Sequence, residues 1–154
     1  MLEIEIDWTA LNAKVEAFAG EIERGLYDVV QQTCLDAAEH ARTVGRFVDR
    51  TGRLRASIRA RGVKRTARGA EGSFGTDVPY AWPVEAGQRP HVIAARRAAF
   101  LRWETPEGVR LARVVRHPGT HERPFMGPAA IKAAAVLFAR TELLVQRAIE
   151  KADR

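Results

Sequence analysis

The fold of this chain is decided by residues 11–44, LNAKVEAFAGEIERGLYDVVQQTCLDAAEHARTV. Apolar side chains recur there in steps of three and four: Leu11, Val15, Phe18, Ile22, Leu26, Val29, Val30, Cys34, Ala37, Ala41 and Val44. This spacing places one apolar stripe along an α-helix. At 1.5 Å per residue, a helix over residues 10–45 would be about 50 Å long, more than a chain of this size needs for its own core. Two interpretations follow: one long helix with part of its stripe serving a neighbour, or shorter helices that break at Gly20 or Gly25.

Two further segments frame this helix. Residues 2–8, LEIEIDW, alternate apolar and acidic side chains, which predicts a short half-buried strand. Thr9 is expected to cap the helix that follows. Near the other end of the chain, residues 128–151 predict a second amphipathic helix. Its apolar face is formed by Ile131, Ala134, Ala135, Phe138, Val145, Ala148 and Ile149, and is widened by Leu137 and Leu144.

The residues between the two helices predict short strands and turns. Residues 51–58 read as a helical turn capped by Thr51, with Leu54 and Ile58 on one face and Arg53 and Arg55 off it. The other expected elements are a β-hairpin over residues 59–76 with a glycine-rich loop at 65–72, a one-turn element at 79–87 whose Tyr80, Trp82 and Val84 lie against the sheet, strands at 91–93 and 98–103, a turn at 105–108, and a return strand at 109–115.

Residues 117–129, HPGTHERPFMGPA, connect the last strand to the second helix. Pro118 and Gly119 are typical of a turn, and Pro124 keeps the residue before it extended. Pro128 is expected at the first position of the helix. The sequence therefore predicts a rigid connection, in a single α+β domain of residues 1–154. Its parts are the N-terminal strand and long helix (1–45), a region forming a small antiparallel sheet (46–116), and the connection with the C-terminal helix (117–154).

Composition excludes several classes of protein. With 46% hydrophobic and 29% charged residues, the chain has the balance of a folded domain. No segment approaches the roughly 20 apolar residues of a membrane span, and the acidic start MLEIEIDW differs from a secretory signal. We expect a protein made in a cytoplasm, without membrane contact. The single cysteine, Cys34, excludes an internal disulfide and a Cys-rich zinc site, and its place on the apolar stripe predicts buried packing.

No catalytic pattern stands out. The phosphate-binding, dinucleotide-binding, HExxH and CxxC patterns are absent from the sequence. His117 and His121 have the spacing of a helical metal pair, but Pro118-Gly119 between them argues against a helix there. Cys34 and His40 are about 240° apart around a helix and cannot form a dyad within it. We predict no enzyme, metal or cofactor; a hydrolase would need His117, His121 and Glu85 within reach of one another.

Charge is distributed unevenly along the chain. Residues 1–45 carry three basic and nine acidic side chains, whereas residues 46–68 carry nine basic and one acidic. The basic run could form a solvated face, half of an ion-pair interface between subunits, or a small DNA-binding module. Phe47 is its only aromatic residue, which favours the first two interpretations. The candidate inter-subunit or DNA-facing contacts are Arg53, Arg55, Arg59 and Arg61.

Three segments in order resemble the tail-completion, or head–tail joining, proteins of long-tailed bacteriophages, a family similar to the minor tail protein Z group of lambda-like phages. They are TGRLRASI at residues 51–58, YAWPVEAG at 80–87, and HPGT at 117–120 followed by RPFM at 123–126 and PAA at 128–130. The residues that carry the resemblance are Thr51, Gly52, Leu54, Ile58, Tyr80, Val84, Glu85, Gly87, Pro118, Gly119, Thr120, Pro124, Phe125 and Pro128.

The resemblance implies a structural virion protein of the phage neck, made in the bacterial host cytoplasm. Such a protein would form an oligomeric ring that attaches the tail to the DNA-filled head. Its implied partners are other copies of itself, connector or stopper proteins, and tail tube or tail terminator proteins, with non-specific contact with packaged DNA. Tail terminator and minor capsid protein are the alternatives within the same class. Phe125 and Met126 would lie either in the subunit's own core or in an adjacent protein.

Overall fold

The computed structural model describes residues 7–67 and 69–152. It has an α+β fold, with a long N-terminal helix and a C-terminal helix packed on a small antiparallel sheet, as predicted. Within the expected single domain, the chain forms two compact units. The first is built from the residues before Pro79 together with those from Phe125 onward, and the second is Pro79–Pro124. Most of the strand predicted at residues 2–8 lies outside the described residues.

The first unit contains helix α1 (Trp8–Val44), the short helix α2 (Arg53–Ser57), strands β1 (Arg59–Thr66) and β2 (Gly69–Gly75), and helix α4 (Met126–Ala152). The second unit contains helix α3 (Ala81–Ala86) and strands β3 (His91–Ala94), β4 (Leu101–Thr105), β5 (Gly108–Ala112) and β6 (Val114–His117). Among the described residues, no helix combines the length and apolar character needed to cross a membrane.

Helix α1 is one uninterrupted helix of 37 residues. It begins two residues earlier than expected, because the Asp7 carboxylate accepts hydrogen bonds from the backbone N–H groups of Thr9 and Ala10. The prediction that Thr9 caps the helix was therefore wrong. Neither predicted glycine break occurs. Gly25 instead gives room to Leu144 of α4, because a Cβ atom at this position would collide with the Leu144 side chain.

Helices α1 and α4 pack antiparallel along the first unit. Glu21 in the first half of α1 pairs with Lys151 at the end of α4 at 2.5 Å. Farther along α1, Asp36 pairs with Arg140 at 2.5 Å, and the same guanidinium donates to the Thr33 hydroxyl at 3.2 Å. The helices also approach through small buried side chains: Ala148 lies between these polar contacts, and Ala37, Ala38, Ala41 and Ala129 lie beyond the Asp36–Arg140 pair.

The β1–β2 hairpin packs on the same helix. Its strands are antiparallel and run to Thr66 and from Gly69, so the connection is much shorter than the predicted loop at 65–72. A bulge between Ala60 and Val63 contains Gly62, whose φ of +92° favours glycine. Gly72 lets β2 approach α1 closely, since a Cβ atom there would lie 2.8 Å from the Cys34 sulfur. Cys34 is buried, as predicted.

The second unit contains one β-hairpin and a second antiparallel pair of strands that are not consecutive in the chain. Strand β4 pairs with β5 through the predicted turn at Pro106 and Glu107, and β3 pairs with β6. The single return strand expected at 109–115 is divided, because β5 ends at Ala112 and β6 begins at Val114. Strand β4 begins at Leu101, three residues later than predicted. The described strands therefore form three separate two-stranded sheets.

Helix α4, which follows the connection, also begins earlier than predicted. Helix α4 starts at Met126, so Pro128 is its third residue and not its first. Proline is compatible with this position because the N–H groups of the first turn have no acceptor within the helix. Gly52 occupies the N-cap of α2 with φ of +72°, where Thr51 was expected. The Thr51 hydroxyl instead accepts a 3.4 Å hydrogen bond from the Arg53 N–H.

Substitution of Gly72 by alanine should destabilise the first unit. The added methyl group would lie 2.8 Å from both the Cys34 sulfur and a Val30 methyl group, so β2 would have to move away from α1. We expect a loss of about 1–3 kcal/mol in the free energy of unfolding, measured by chemical denaturation. Gly20→Ala is the matched control, because its Cβ atom would meet only the flexible Arg24 side chain and alanine favours a helix. Equal stability of Gly72→Ala and wild type would contradict the packing described.

Acid should weaken the contact between α1 and α4. The hydrogen bond from Arg140, with a second from Gln32, lowers the pKa of Asp36, and the hydrogen bonds from Lys151 and Arg24 lower the pKa of Glu21. Carboxylates with a lowered folded-state pKa stabilise the fold above their unfolded pKa, and this stabilisation is lost as the pH falls below about 4. The melting temperature should therefore fall on acidification.

The variant Asp36→Asn should have a lower melting temperature than wild type at pH 7 and a smaller further decrease at pH 3. Asp28→Asn is the control, since Asp28 is an exposed carboxylate on the same helix with no hydrogen-bond partner in the described chain. It should follow the wild-type pH profile. An Asp36→Asn profile parallel to wild type would show that this ion pair does not contribute to the acid sensitivity.

Candidate interaction surfaces

Arg55 is part of the first unit's own structure. Its guanidinium donates to the carbonyl oxygens of Arg42, Gly45 and Phe47, at the end of α1 and just beyond it. It also stacks on the Phe47 ring, 4.5 Å from the ring centroid. The last carbonyl groups of a helix receive no hydrogen bond from within the helix. The Arg55 guanidinium supplies the missing donors and so caps α1. Arg55 is therefore engaged within the chain, although it was a candidate for contacts outside it.

The Phe125 ring lies in the same part of the core. It is fully buried, with its centroid 4.8 Å from that of Phe47. Leu54 and Ile58 from the α2 segment are buried as well, as predicted. Phe125 was expected either in the subunit's own core or in an adjacent protein, and it lies in the subunit's own core. Met126 beside it is half-buried. Because Phe47 is buried, the only aromatic residue of the basic run is not exposed for stacking on nucleic-acid bases.

The remaining arginines of the run divide into two groups. Arg59 and Arg61 both pair with Asp77, at 2.8 and 2.5 Å, so two exposed cations share one exposed carboxylate. Arg65 donates to the Glu23 carbonyl and lies over the Tyr27 ring. Among the described cations of this run, those whose side chains have no partner are Arg46, Arg50 and Arg53, since Lys64 pairs with Glu71. The positive charge exposed by this run is thus smaller than the sequence suggests.

Inside the second unit, two glycines allow close backbone contact between two segments of the resemblance, YAWPVEAG at 80–87 and HPGT at 117–120. Gln88 and Thr120 exchange two backbone hydrogen bonds of 2.9 Å, and the Arg123 N–H donates to the Val84 carbonyl at 2.9 Å. Gly87 has φ of +71°, and a Cβ atom there would lie 2.7 Å from the Thr120 oxygen. Gly119 has φ of +88°, and a Cβ atom there would collide with the Gln88 carbonyl. Only glycine fits both positions without strain.

The histidines form no recognisable catalytic arrangement. His117 stacks on His91 across the β3–β6 pair, with ring centroids 5.0 Å apart, and its Nδ1 accepts the Gly119 N–H. The His121 side chain is exposed. Among the described residues, no group of three His, Cys, Asp or Glu side chains is placed to hold a metal ion.

A shallow apolar groove of about 310 Å³ runs beside Cys34 in the first unit. Its walls come from α1, β2 and α4, and include Val30, Phe74 and Leu137. Burial raises the pKa of the Cys34 thiol, so the thiol stays protonated at neutral pH and is a poor nucleophile. The groove offers apolar contact and no catalytic group beyond this thiol and the exposed Glu71 carboxylate.

The second unit exposes its apolar side chains. Across Pro79–Pro124, all of which the structure describes, Ala81 is the only buried residue. The Trp82 side chain is 73% exposed, so the prediction that it packs against the sheet was wrong. Strands and turns of this unit also expose Tyr80, Val92, Ile93, Phe100, Trp103, Val109, Leu111 and Val114. A two-stranded hairpin is marginally stable in water without such side chains being covered.

Helix α4 carries apolar side chains on two opposite faces. Ala148 is buried, and Leu137 and Leu144 contact α1 or line the adjacent groove. Ile131 and Phe138 are each 77% exposed on the other face. The sequence pattern identified most of these positions as one broad face, because periodicity reports where apolar residues lie and not what covers them. In the first half of α4, small and apolar residues occur on all sides of the helix. This pattern was the sequence feature that indicated two apolar faces.

No protein-family model matches the chain, and no curated protein or solved structure matches it either. The resemblance to head–tail joining proteins therefore rests on the three sequence segments. The structure buries Leu54 and Ile58 of residues 51–58, together with Phe125, in the first unit, and it joins residues 84–88 to 120–123 by backbone hydrogen bonds. These segments are positioned as a structural framework.

Substitution of Arg55 by alanine should destabilise the first unit by about 1–3 kcal/mol, because it leaves three carbonyl groups without their charged donor. Thermal and chemical denaturation measure this loss. Arg53→Ala is the matched control: Arg53 lies two residues away on the same short helix, and its side chain is exposed. Similar small effects of both substitutions would contradict the capping role of Arg55.

Proposed function

We propose that this protein is a structural subunit of a bacteriophage neck, which completes the tail or joins it to the DNA-filled head as an oligomeric ring. Its partners would be further copies of itself, the connector or stopper, and the tail tube or tail terminator. The proposal includes no catalysis and no cofactor. It would place the protein at the head–tail junction of the virion after synthesis in the host cytoplasm.

The observation that carries the proposal is the apolar surface of both units. A monomeric soluble protein rarely exposes a contiguous apolar patch of more than a few hundred Å², and larger patches are typical of protein–protein contacts. Here large apolar side chains are exposed on α1, on α4 and on both strand pairs of the second unit. An assembly subunit, whose neighbours cover these surfaces, accounts for this distribution better than an independent monomer does.

The charged residues support contacts with protein more than a dedicated DNA-binding site. Arg55 caps a helix, Arg59 and Arg61 share Asp77, and Phe47 is buried. A DNA-binding module would instead leave several of these cations free for phosphates. Arg46, Arg50 and Arg53 remain exposed, which is compatible with non-specific contact with packaged DNA in a ring.

Removal of the gene from a phage that encodes this chain tests the proposed function. We expect DNA-filled heads and complete tails to accumulate separately in lysates seen by electron microscopy, because the joining layer is absent. Supplying the wild-type gene from a plasmid should restore joined particles. In purified virions, antibodies or image reconstruction should locate the chain at the head–tail junction. Joined, infectious particles without the gene would overturn the proposal.

A further inference from the structure

We propose that the projecting start of α1 in one copy packs on the outward stripe of α4 in the next copy. The projecting start comprises residues 8–17 of α1, and the outward stripe comprises Ile131, Ala135, Phe138, Val145 and Ile149 of α4. This contact would be the repeating interface of the proposed ring, and it rests on the proposed neck function for its biological role.

The start of α1 extends beyond its partner helix. Glu21 lies level with Lys151 and Asp36 with Arg140 in the antiparallel pair. Continued at the same register, Ala152 at the end of α4 lies level with about residue 20 of α1. Trp8 is therefore about 18 Å beyond that level at 1.5 Å per residue. All side chains over residues 8–17 are exposed, and Trp8 is 64% exposed.

The projecting start nevertheless continues the apolar stripe of α1. Trp8 and Val15 are seven residues apart with Leu11 between them, and Phe18 and Ile22 extend the same spacing toward the core. A helix that only faces water gains nothing from such a stripe. The spacing of seven with an intermediate residue is that of helices that pack along their length against another helix.

The outward stripe of α4 has a matching pattern. Ile131, Phe138 and Val145 are spaced by seven residues, with Ala135 and Ile149 on the same side of the helix. Lys132 is the only charged residue over 126–139, so the first half of the stripe is almost uncharged, whereas Glu142 is exposed on the same side one turn beyond Phe138. Small side chains next to these two residues leave depressions into which the side chains of a second helix fit.

Each contact would join three large apolar side chains of the projecting start to three of the outward stripe. Trp8, Leu11, Val15, Ile131, Phe138 and Ile149 are between about half and three quarters exposed. For side chains with up to about 150–250 Å² of surface each, one contact covers on the order of 800 Å² summed over both copies, which is the size of a small interface. Residues 8–17 contain one acid and one base, Glu16 and Lys14, so net charge does not oppose the contact.

The arrangement of α1 and α4 favours a second copy as the occupant. Within one chain, α1 covers the inner face of α4, so the projecting start cannot reach the outward stripe of its own α4. Each copy therefore has one projecting start and one outward stripe, and both are uncovered. When the first surface of one copy meets the second surface of the next, the contact is heterologous and builds a ring or an open chain. In a closed ring, neither surface is left exposed.

Two single substitutions and their mixture test this contact. Leu11→Glu places a charge on the projecting start, and Phe138→Glu places one on the outward stripe; both side chains are largely exposed, so the fold should be kept. Light scattering after gel filtration measures the mass over a range of concentrations. We expect wild type to form oligomers larger than dimers, and each variant alone to be monomeric, with an at least tenfold higher dissociation constant.

An equimolar mixture of the two variants should form a 1:1 dimer and nothing larger. In that pair, the Phe138→Glu subunit still has an intact projecting start and the Leu11→Glu subunit an intact outward stripe, so one contact forms and no other can follow. Val48→Glu is the matched control, because Val48 is 71% exposed in the same unit but lies outside both surfaces. It should assemble like wild type. Circular dichroism of each variant checks that the helices are retained.

Several results would overturn the proposed contact: a monomeric wild type at high concentration, wild-type assembly of either variant, dimers of Phe138→Glu alone, or no dimer in the mixture. These outcomes are separate from the test of the neck function. Joined particles after gene deletion, together with a 1:1 dimer in the mixture, would remove the neck function and leave the contact. Separate heads and tails, together with monomeric wild type, would do the reverse.

Discussion

The close approach of α1 to α4 and to the β1–β2 hairpin is the constraint on which the first unit depends. It requires residues without bulk at the points of contact: Gly25 opposite Leu144, Gly72 opposite Cys34, and buried alanines along both helices. Because interiors are packed as densely as organic crystals, an added methyl group at such a point displaces a whole element. The ion pairs of Glu21 and Asp36 with α4 lie along this contact.

The end of α1 depends on a second set of contacts. Arg55 holds the terminal carbonyl groups and covers Phe47, and Phe47 in turn packs against Phe125. Phe125 directly follows the segment that Gly87 and Gly119 interlock within the second unit. The connection over residues 117–129 is therefore held by backbone hydrogen bonds in its first part and by the buried Phe125 ring in its second part. This explains physically why prolines and glycines are concentrated there.

Much of the apolar surface of this chain remains exposed after folding. In the second unit, Ala81 is the only buried residue, and in the first unit Ile131, Phe138 and Ile149 are exposed along one side of α4. Exposing such residues is costly in water, since each buried aliphatic or aromatic side chain contributes about 1.5–3 kcal/mol. Coverage by neighbouring subunits would recover this free energy, and it would make the stability of the chain depend on its assembly.

By itself, the sequence determined the α+β class, the helical character of residues 11–44, the β1–β2 and β4–β5 hairpins, the last helix and the burial of Cys34, Leu54 and Ile58. These are local properties: periodicity, turn residues and chain length set them directly. Only the tertiary structure decided that Gly25 is a packing position and not a break, that Asp7 and not Thr9 caps α1, and that Arg55 is internal whereas Arg53 is exposed. It also decided which apolar face of α4 is covered. The sequence could not decide these points, because they depend on partners far away in the chain, and periodicity carries no information about which distant element covers a face.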